Sequence, residues 1–247
     1  MNLGIIGGTG ALSLFRRHRR EAITTPFGAP SARPALVEIA GARIWFLARH
    51  GDPHRIPPHR VNYRANVHAL KILGVDSILA INAVGGVSEA APAGGLLLPD
   101  QLVDYTWGRS HTFSDGGSAP LRHIDFTHPF RGRLRDCLVE GAARADVEVV
   151  NGGCIAVTQG PRLETAAEVA LLARAGCDVV GMTTMPEAAL AREAGLDYAS
   201  VCAVANAGAG LEDGPITEQS IAQVLDEAMT RVERLVGAVI EGAAPSA

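Results

Sequence analysis

The chain has no excess of basic charge. Its 22 Lys and Arg stand against 26 Asp and Glu, a formal charge of −4 with an isoelectric point near 6.1. That balance excludes a global electrostatic footprint for nucleic acid, and the one local cluster, RRHRR at 16–20, reads as a solvated face. Cysteine is scarce as well. Cys137, Cys154, Cys177 and Cys202 have no C-x-x-C spacing and mostly lie in apolar stretches, which predicts buried thiols in a reducing compartment, without disulfides or zinc. No uninterrupted apolar run reaches membrane-spanning length. Met1 leads straight into LGIIGGTG, without the charged segment, apolar core and cleavage site of an export signal, so a cytoplasmic location is expected. Internal repeats and a dividing linker are also lacking, and the expectation is a single domain over residues 1–247 with a frayed tail at 241–247.

What the chain does have is apolar bulk, 47% of its residues, arranged in an α/β rhythm. Short apolar runs predict strands at Leu3–Ile6, Arg43–Ala48, Ser77–Asn82, Gln101–Asp104, Val147–Val150, Asp178–Met182 and Tyr198–Val204. Several lack polar alternation, as suits strands covered on both faces. Helical spacing is clearest at Tyr63–Ile72, Ala166–Arg174 and Glu187–Ala194. A last helix is predicted from Ser220, with Gln223 completing a capping box and Ile221, Val224, Leu225, Ala228, Val232, Leu235, Val236 and Val239 forming one stripe. Residues 108–122 read as a mobile surface loop.

Several motifs fall at strand ends, where open α/β sheets place ligand sites. GIIGGTGA runs a strand into a glycine turn, but the dinucleotide fingerprint G-x-G-x-x-G fails because Ser13 takes the third glycine position. The turn can instead offer backbone N–H groups and the Thr9 hydroxyl to an anion, or be a turn without a ligand. In LARHG, Arg49 leaves a strand end with a planar fork suited to phosphate or to a surface ion pair. His50 and His54 have metal-like spacing, yet no nearby carboxylate or thiol completes a set, so no metal is expected. INAVGG at 81–86 ends a strand with an amide and two glycines, and VCAVANAGAG at 201–210 does so with Asn206.

Taken with TQGPRLET at 158–165 and GMTTMPEAALAREAGLDYA at 181–199, these motifs stand in the order of a known family. From about Leu3 to Ile240 the chain resembles the trimeric purine nucleoside phosphorylases and methylthioadenosine phosphorylases. The resemblance implies a central mixed sheet flanked by helices, and reversible attack of inorganic phosphate on a nucleoside. It implies phosphate contacts at Thr9, Arg49, His50, the backbone of Ala83, and Thr183, with Met182 against the ribose. It also implies a homotrimer in which His123 reaches a neighbour's site, and no cofactor beyond phosphate as co-substrate. By resemblance Asn206 faces the C6 and N7 edge of the purine.

Two departures from the methylthioadenosine branch decide the expected base. That branch typically carries Asp and Ser where this chain has Asn206 and Glu164. A carboxylate accepts from the N1–H of a 6-oxopurine and an amide donates to O6, whereas 6-aminopurine reverses both. At the 5′ end the family positions are apolar here, Ile221, Val224 and Leu225, which favours a thiomethyl group over a hydroxyl. The expected substrate is S-methyl-5′-thioinosine, giving hypoxanthine and 5-methylthioribose 1-phosphate. A general inosine and guanosine phosphorylase, and then a methylthioadenosine phosphorylase, stand behind it; a dinucleotide-dependent oxidoreductase and a non-catalytic nucleotide-binding module are the readings from other classes.

Overall fold

The computed structural model describes residues 1–11, 14, 17–114, 116 and 120–243. Ser13, Arg16 of the basic cluster, positions 115 and 117–119 of the 108–122 loop, and tail residues 244–247 lie outside the described residues.

The elements are β1 (Leu3–Gly7), β2 (Arg17–Arg20), β3 (Ala35–Ile39), β4 (Ala42–Ala48), α1 (Tyr63–Ile72), β5 (Ser77–Gly86), β6 (Leu96–Leu98), β7 (Gln101–Asp104), α2 (Arg133–Arg144), β8 (Val150–Asn151), β9 (Cys154–Val157), α3 (Ala166–Arg174), β10 (Val179–Gly181), α4 (Thr184–Glu193), β11 (Asp197–Ala207) and α5 (Glu218–Ala243). They build the expected mixed sheet flanked by helices. Its path runs β2-β3-β4-β1-β5-β10-β9-β7, with β11 also against β5 and linked through β6 to β8. One face packs on α2 and α5 through Leu134, Leu138, Val232, Leu235 and Val239; the other packs on α1 and α4 through Val67, Leu70, Ala188 and Leu190. Each fully buried aliphatic side chain contributes roughly 1.5–3 kcal/mol of transfer free energy.

The sheet divides where the site will lie. β1 pairs with β5 only as far as Gly7 against Ile81, and β10 takes the same edge, antiparallel, only from Gly85. Between them the β5 edge is open. Ile81 accepts the Gly8 N–H on that edge, so strand alternation turns the Ala83 N–H toward the opening.

Several elements depart from the sequence expectation. β5 does not stop at Asn82 but continues to Gly86, because β11 and β10 hold its second half. α5 begins at Glu218 rather than after Ser220. Thr217 is the cap, its Oγ1 accepting from the Ser220 N–H at 3.1 Å; an earlier hydroxyl at the same spacing outcompetes the expected one. The strand expected at Val147–Val150 reduces to Val150–Asn151, since Val147 closes α2 through its N–H to the Ala142 carbonyl. The described part of the 108–122 loop is tied down. Arg109 donates to the carbonyls of Thr158, Gln159, Met182 and Met185, and the Phe113 N–H and Thr112 hydroxyl donate to Glu193. No helix among the described residues is long and apolar enough to cross a membrane.

Candidate active site

A cleft of about 880 Å³ opens at the division of the sheet. It brings together Thr9, Arg49, His50, Ala83, Glu164, Met182, Thr183, Asn206 and Ile221, nine of the twelve positions singled out in the sequence. They come from the turn after β1, the residues after β4, the middle of β5, the approach to α3, the β10–α4 junction, the end of β11 and the first turn of α5.

At the anion end, Thr9 is exposed to the cleft and the Ala83 N–H lies on the open edge. Arg49 is 1% exposed and does not present its fork to open space. Nε and Nη2 donate to the Glu187 carboxylate at 2.8 and 2.9 Å, because a buried carboxylate matches the planar guanidinium at two points. Arg49 is thus neither an open phosphate fork nor half of a surface ion pair, but half of a buried one.

His50 Nδ1 lies 2.8 Å from the Ile56 carbonyl, which can only accept, so Nδ1 carries the proton and Nε2 is an acceptor. Burial first, then the neighbouring Arg49 charge, lower its pKa to about 4. The ring is neutral at physiological pH. His54 stacks on it at 4.5 Å between centroids. The Thr183 hydroxyl donates to Asn82 Oδ1 at 3.1 Å, and Asn82 Nδ2 donates to Ser200 Oγ at 2.8 Å, a buried chain that anchors the threonine.

At the other end stand Glu164 and Asn206. Glu164 stands just before α3, whose capping box comes from Thr165 and Glu168. Its Oε1 accepts from Thr158 Oγ1 at 2.6 Å, leaving Oε2 for a ligand. Asn206 follows an irregularity of register in β11 between Val204 and Asn206, a device that re-aims a side chain. Its Nδ2 donates to the Ala207 carbonyl at 2.7 Å. This bond fixes the amide's orientation and leaves one N–H and the Oδ1 lone pairs unassigned. Met182 can approach the cleft because residue 160 is Gly, at φ 58°; a Cβ there would run into the Met182 thioether.

Of the remaining three positions, Leu225 and Val224 were expected in this cleft and are not there, while His123 was expected in a neighbour's. Leu225 is core, 2% exposed, since one turn beyond Ile221 the helical stripe already meets the sheet. Val224 is half-buried and lines no part of the cleft. His123 is exposed and outside it. The apolar lining of the cleft also includes Ile216, Ala222 and Leu163. Glu187 carried no expectation as a site residue, and Asn82 was noted only as the amide of INAVGG, without a role. Their signal was a lone carboxylate in MTTMPEAAL, which has no other charge, and a lone amide in the apolar run ILAINAV.

Fold and cleft together define an enzyme of the purine nucleoside phosphorylase type. The chain belongs to the phosphorylase superfamily, whose family model matches residues 2–241. It is 48% identical over 230 residues to a probable S-methyl-5′-thioinosine phosphorylase of Xylella fastidiosa, covering 92% of this chain and 96% of that one. It is 38% identical to a probable 6-oxopurine nucleoside phosphorylase of Moorella thermoacetica, covering 98% and 93%. The methylthioadenosine phosphorylase of Schistosoma mansoni, solved with adenine, matches with a TM-score of 0.92 at 33% identity, covering 99% of this chain and 93% of that one.

Proposed function

We propose that this chain, acting as one phosphorylase domain, catalyses phosphorolysis of S-methyl-5′-thioinosine to hypoxanthine and 5-methylthioribose 1-phosphate. A phosphate oxygen attacks C1′, the C1′–N9 bond breaks, and its electron pair passes to the purine, which takes up a proton at N7 from solvent. Positive charge develops on the sugar and negative charge on the base, so catalysis needs a positioned anion and stabilisation of the leaving group. Thr9, Ala83 N–H and Arg49 would supply donors for phosphate, and Thr183 would join them by turning its hydroxyl hydrogen from Asn82 Oδ1 to the anion. His50 Nε2, an acceptor, suits a phosphate oxygen that still carries a proton. Met182 would lie against the ribose.

The observation that carries the choice of base is the orientation of the Glu164 and Asn206 pair. Glu164 Oε2 is free to accept from N1–H, and Asn206, with one Nδ2–H committed to the Ala207 carbonyl, keeps an N–H that would donate to O6 and an Oδ1 that would accept from N7–H. The names of the Xylella and Moorella relatives point to the same 6-oxopurine class. At the 5′ end, Ile216 and Ile221 favour a thiomethyl group, worth roughly 1 kcal/mol or more on burial.

Assembly as a cytoplasmic homotrimer belongs to the same proposal, with His123 serving a neighbour's cleft rather than its own. Its exposure supports this, as do Trp107 and Leu121, 71% and 72% exposed in the same stretch of chain. The test of the reaction is product release with and without phosphate across methylthioinosine, inosine, guanosine, methylthioadenosine and adenosine. Phosphate-dependent hypoxanthine release that is fastest from methylthioinosine is expected. Faster use of inosine would support the general phosphorylase, faster use of methylthioadenosine would overturn the base assignment, and release without phosphate would overturn the reaction.

A further inference from the structure

The Arg49 guanidinium has five N–H bonds. Four have partners within the fold: Nε to Glu187 Oε2 at 2.8 Å, Nη2 to Glu187 Oε1 at 2.9 Å and to the Ile6 carbonyl at 3.2 Å, and Nη1 to the Ile81 carbonyl at 3.1 Å. One Nη1–H is left. Nη1 itself lies beside Gly8, where a Cβ would lie only 2.8 Å from it, and both residues line the cleft. Gly8 is itself fixed there by its N–H to the same Ile81 carbonyl at 3.2 Å.

Glu187 controls this arrangement from outside the cleft. It is fully buried, touches the guanidinium at two points, and is held in turn by the Tyr198 hydroxyl, which donates to Oε1 at 3.0 Å. It comes from the first turn of α4 just after Met185 leaves helical geometry, while Tyr198 comes from β11.

We infer that Glu187, seconded by Tyr198, is the positioning residue of the phosphate site: it compensates the Arg49 charge and aims the single remaining Nη1–H through the space that Gly8 leaves open. Oxyanion recognition then rests on directional donors, the Nη1–H with the Ala83 N–H and nearby hydroxyls, and not on an uncompensated cation. This deepens the phosphorolysis reading and rests on it.

The experiment uses the full chain and follows both kinetics and direct binding of inorganic phosphate by calorimetry, with folding checked by thermal melts. Glu187→Gln turns an amide N–H against an Arg49 N–H and removes the two-point match. Its phosphate KM should rise by about tenfold or more, while nucleoside KM at saturating phosphate stays within about twofold. Tyr198→Phe deletes only the bond to Oε1 and should raise phosphate KM by about two- to fivefold. Gly8→Ala should weaken phosphate by about tenfold or more, because the added methyl occupies the path of Nη1–H. Glu187→Asp, which keeps the charge, should recover part of the loss. Should Glu187→Gln fail to fold, Tyr198→Phe and Gly8→Ala carry the test. A folded variant with wild-type phosphate affinity would overturn the inference, as would tighter phosphate binding from a released arginine or an equal rise in nucleoside KM. Wild-type turnover without phosphate would instead overturn the phosphorolysis reading, so the two failures are distinguishable.

Discussion

Replacing Asn206 by Asp together with Glu164 by Ser should move base preference from methylthioinosine toward methylthioadenosine. On the proposed pairing, a 6-oxopurine would satisfy Glu164 Oε2 through N1–H and the free Asn206 N–H through O6. A 6-aminopurine sets an N1 lone pair against the carboxylate and an amino donor against the amide donor. Two mispaired polar groups at roughly 1–3 kcal/mol each give about 2–6 kcal/mol, a preference from about 30-fold to about 10⁴-fold. In the double variant both mispairings are removed, since Asp accepts from the 6-amino group and Ser can donate to N1. The structure adds a cost. Asn206 Nδ2 donates to the Ala207 carbonyl at 2.7 Å, and an aspartate oxygen in that place meets another acceptor. The double variant should therefore be slower on every substrate, by about tenfold or more, while the ratio of specificity constants still reverses or narrows. Steady-state kinetics on both nucleosides, wild type beside double variant, gives that ratio. A wild type that already prefers methylthioadenosine refutes the pairing, and a ratio unmoved in a folded variant reduces Asn206 to a residue shaping the strand end.

Three further outcomes are expected. His50 is held neutral with a pKa of about 4 against an ordinary 6.5, so the unfolded chain binds the extra proton first: stability present above pH 6.5 is lost as pH falls toward 4, by about 3 kcal/mol, and a His50→Asn chain should show a shallower decline in acid melts. A wild-type melt flat between pH 6.5 and 4.5 would contradict this. Arg49→Ala leaves Glu187 buried without its partner, so beyond weaker phosphate binding it should cost about 3–5 kcal/mol in chemical denaturation, whereas a surface arginine would cost less than about 1. In sedimentation the protein should run as a trimer, and His123→Ala should keep that mass while weakening nucleoside use; full activity in a monomer would remove His123 from any shared site.

The residues of the cleft were legible in the sequence to the extent that each ends a strand or follows one. GIIGGTG, ARHG and ANAGAG announce themselves as small-residue ends of apolar runs, INAVGG as the small-residue second half of one, and the parallel pairing of β1, β4, β5 and β11 gathers them on one side. Their order along the chain sufficed for the family. Helices α1 and α3 were readable to the residue because local spacing and end signals agree there. Local patterns misled where two of them competed, as with Thr217 and Ser220, or where pairing partners lay far away, as with the second half of β5.

What only the tertiary structure decided is what each side chain has left to offer. Arg49 reads in sequence as an open phosphate fork, but Glu187 lies 138 positions on, and nothing local reveals that they meet. The tautomer of His50 depends on the Ile56 carbonyl, and the facing of Asn206 on the carbonyl of Ala207. The apolar end of the cleft likewise follows from where α5 crosses the sheet, which keeps Ile221 at the opening and carries Leu225 into the core. Sequence determines which donors and acceptors a chain owns; packing decides which of them remain unpaired, and unpaired groups are what a substrate meets.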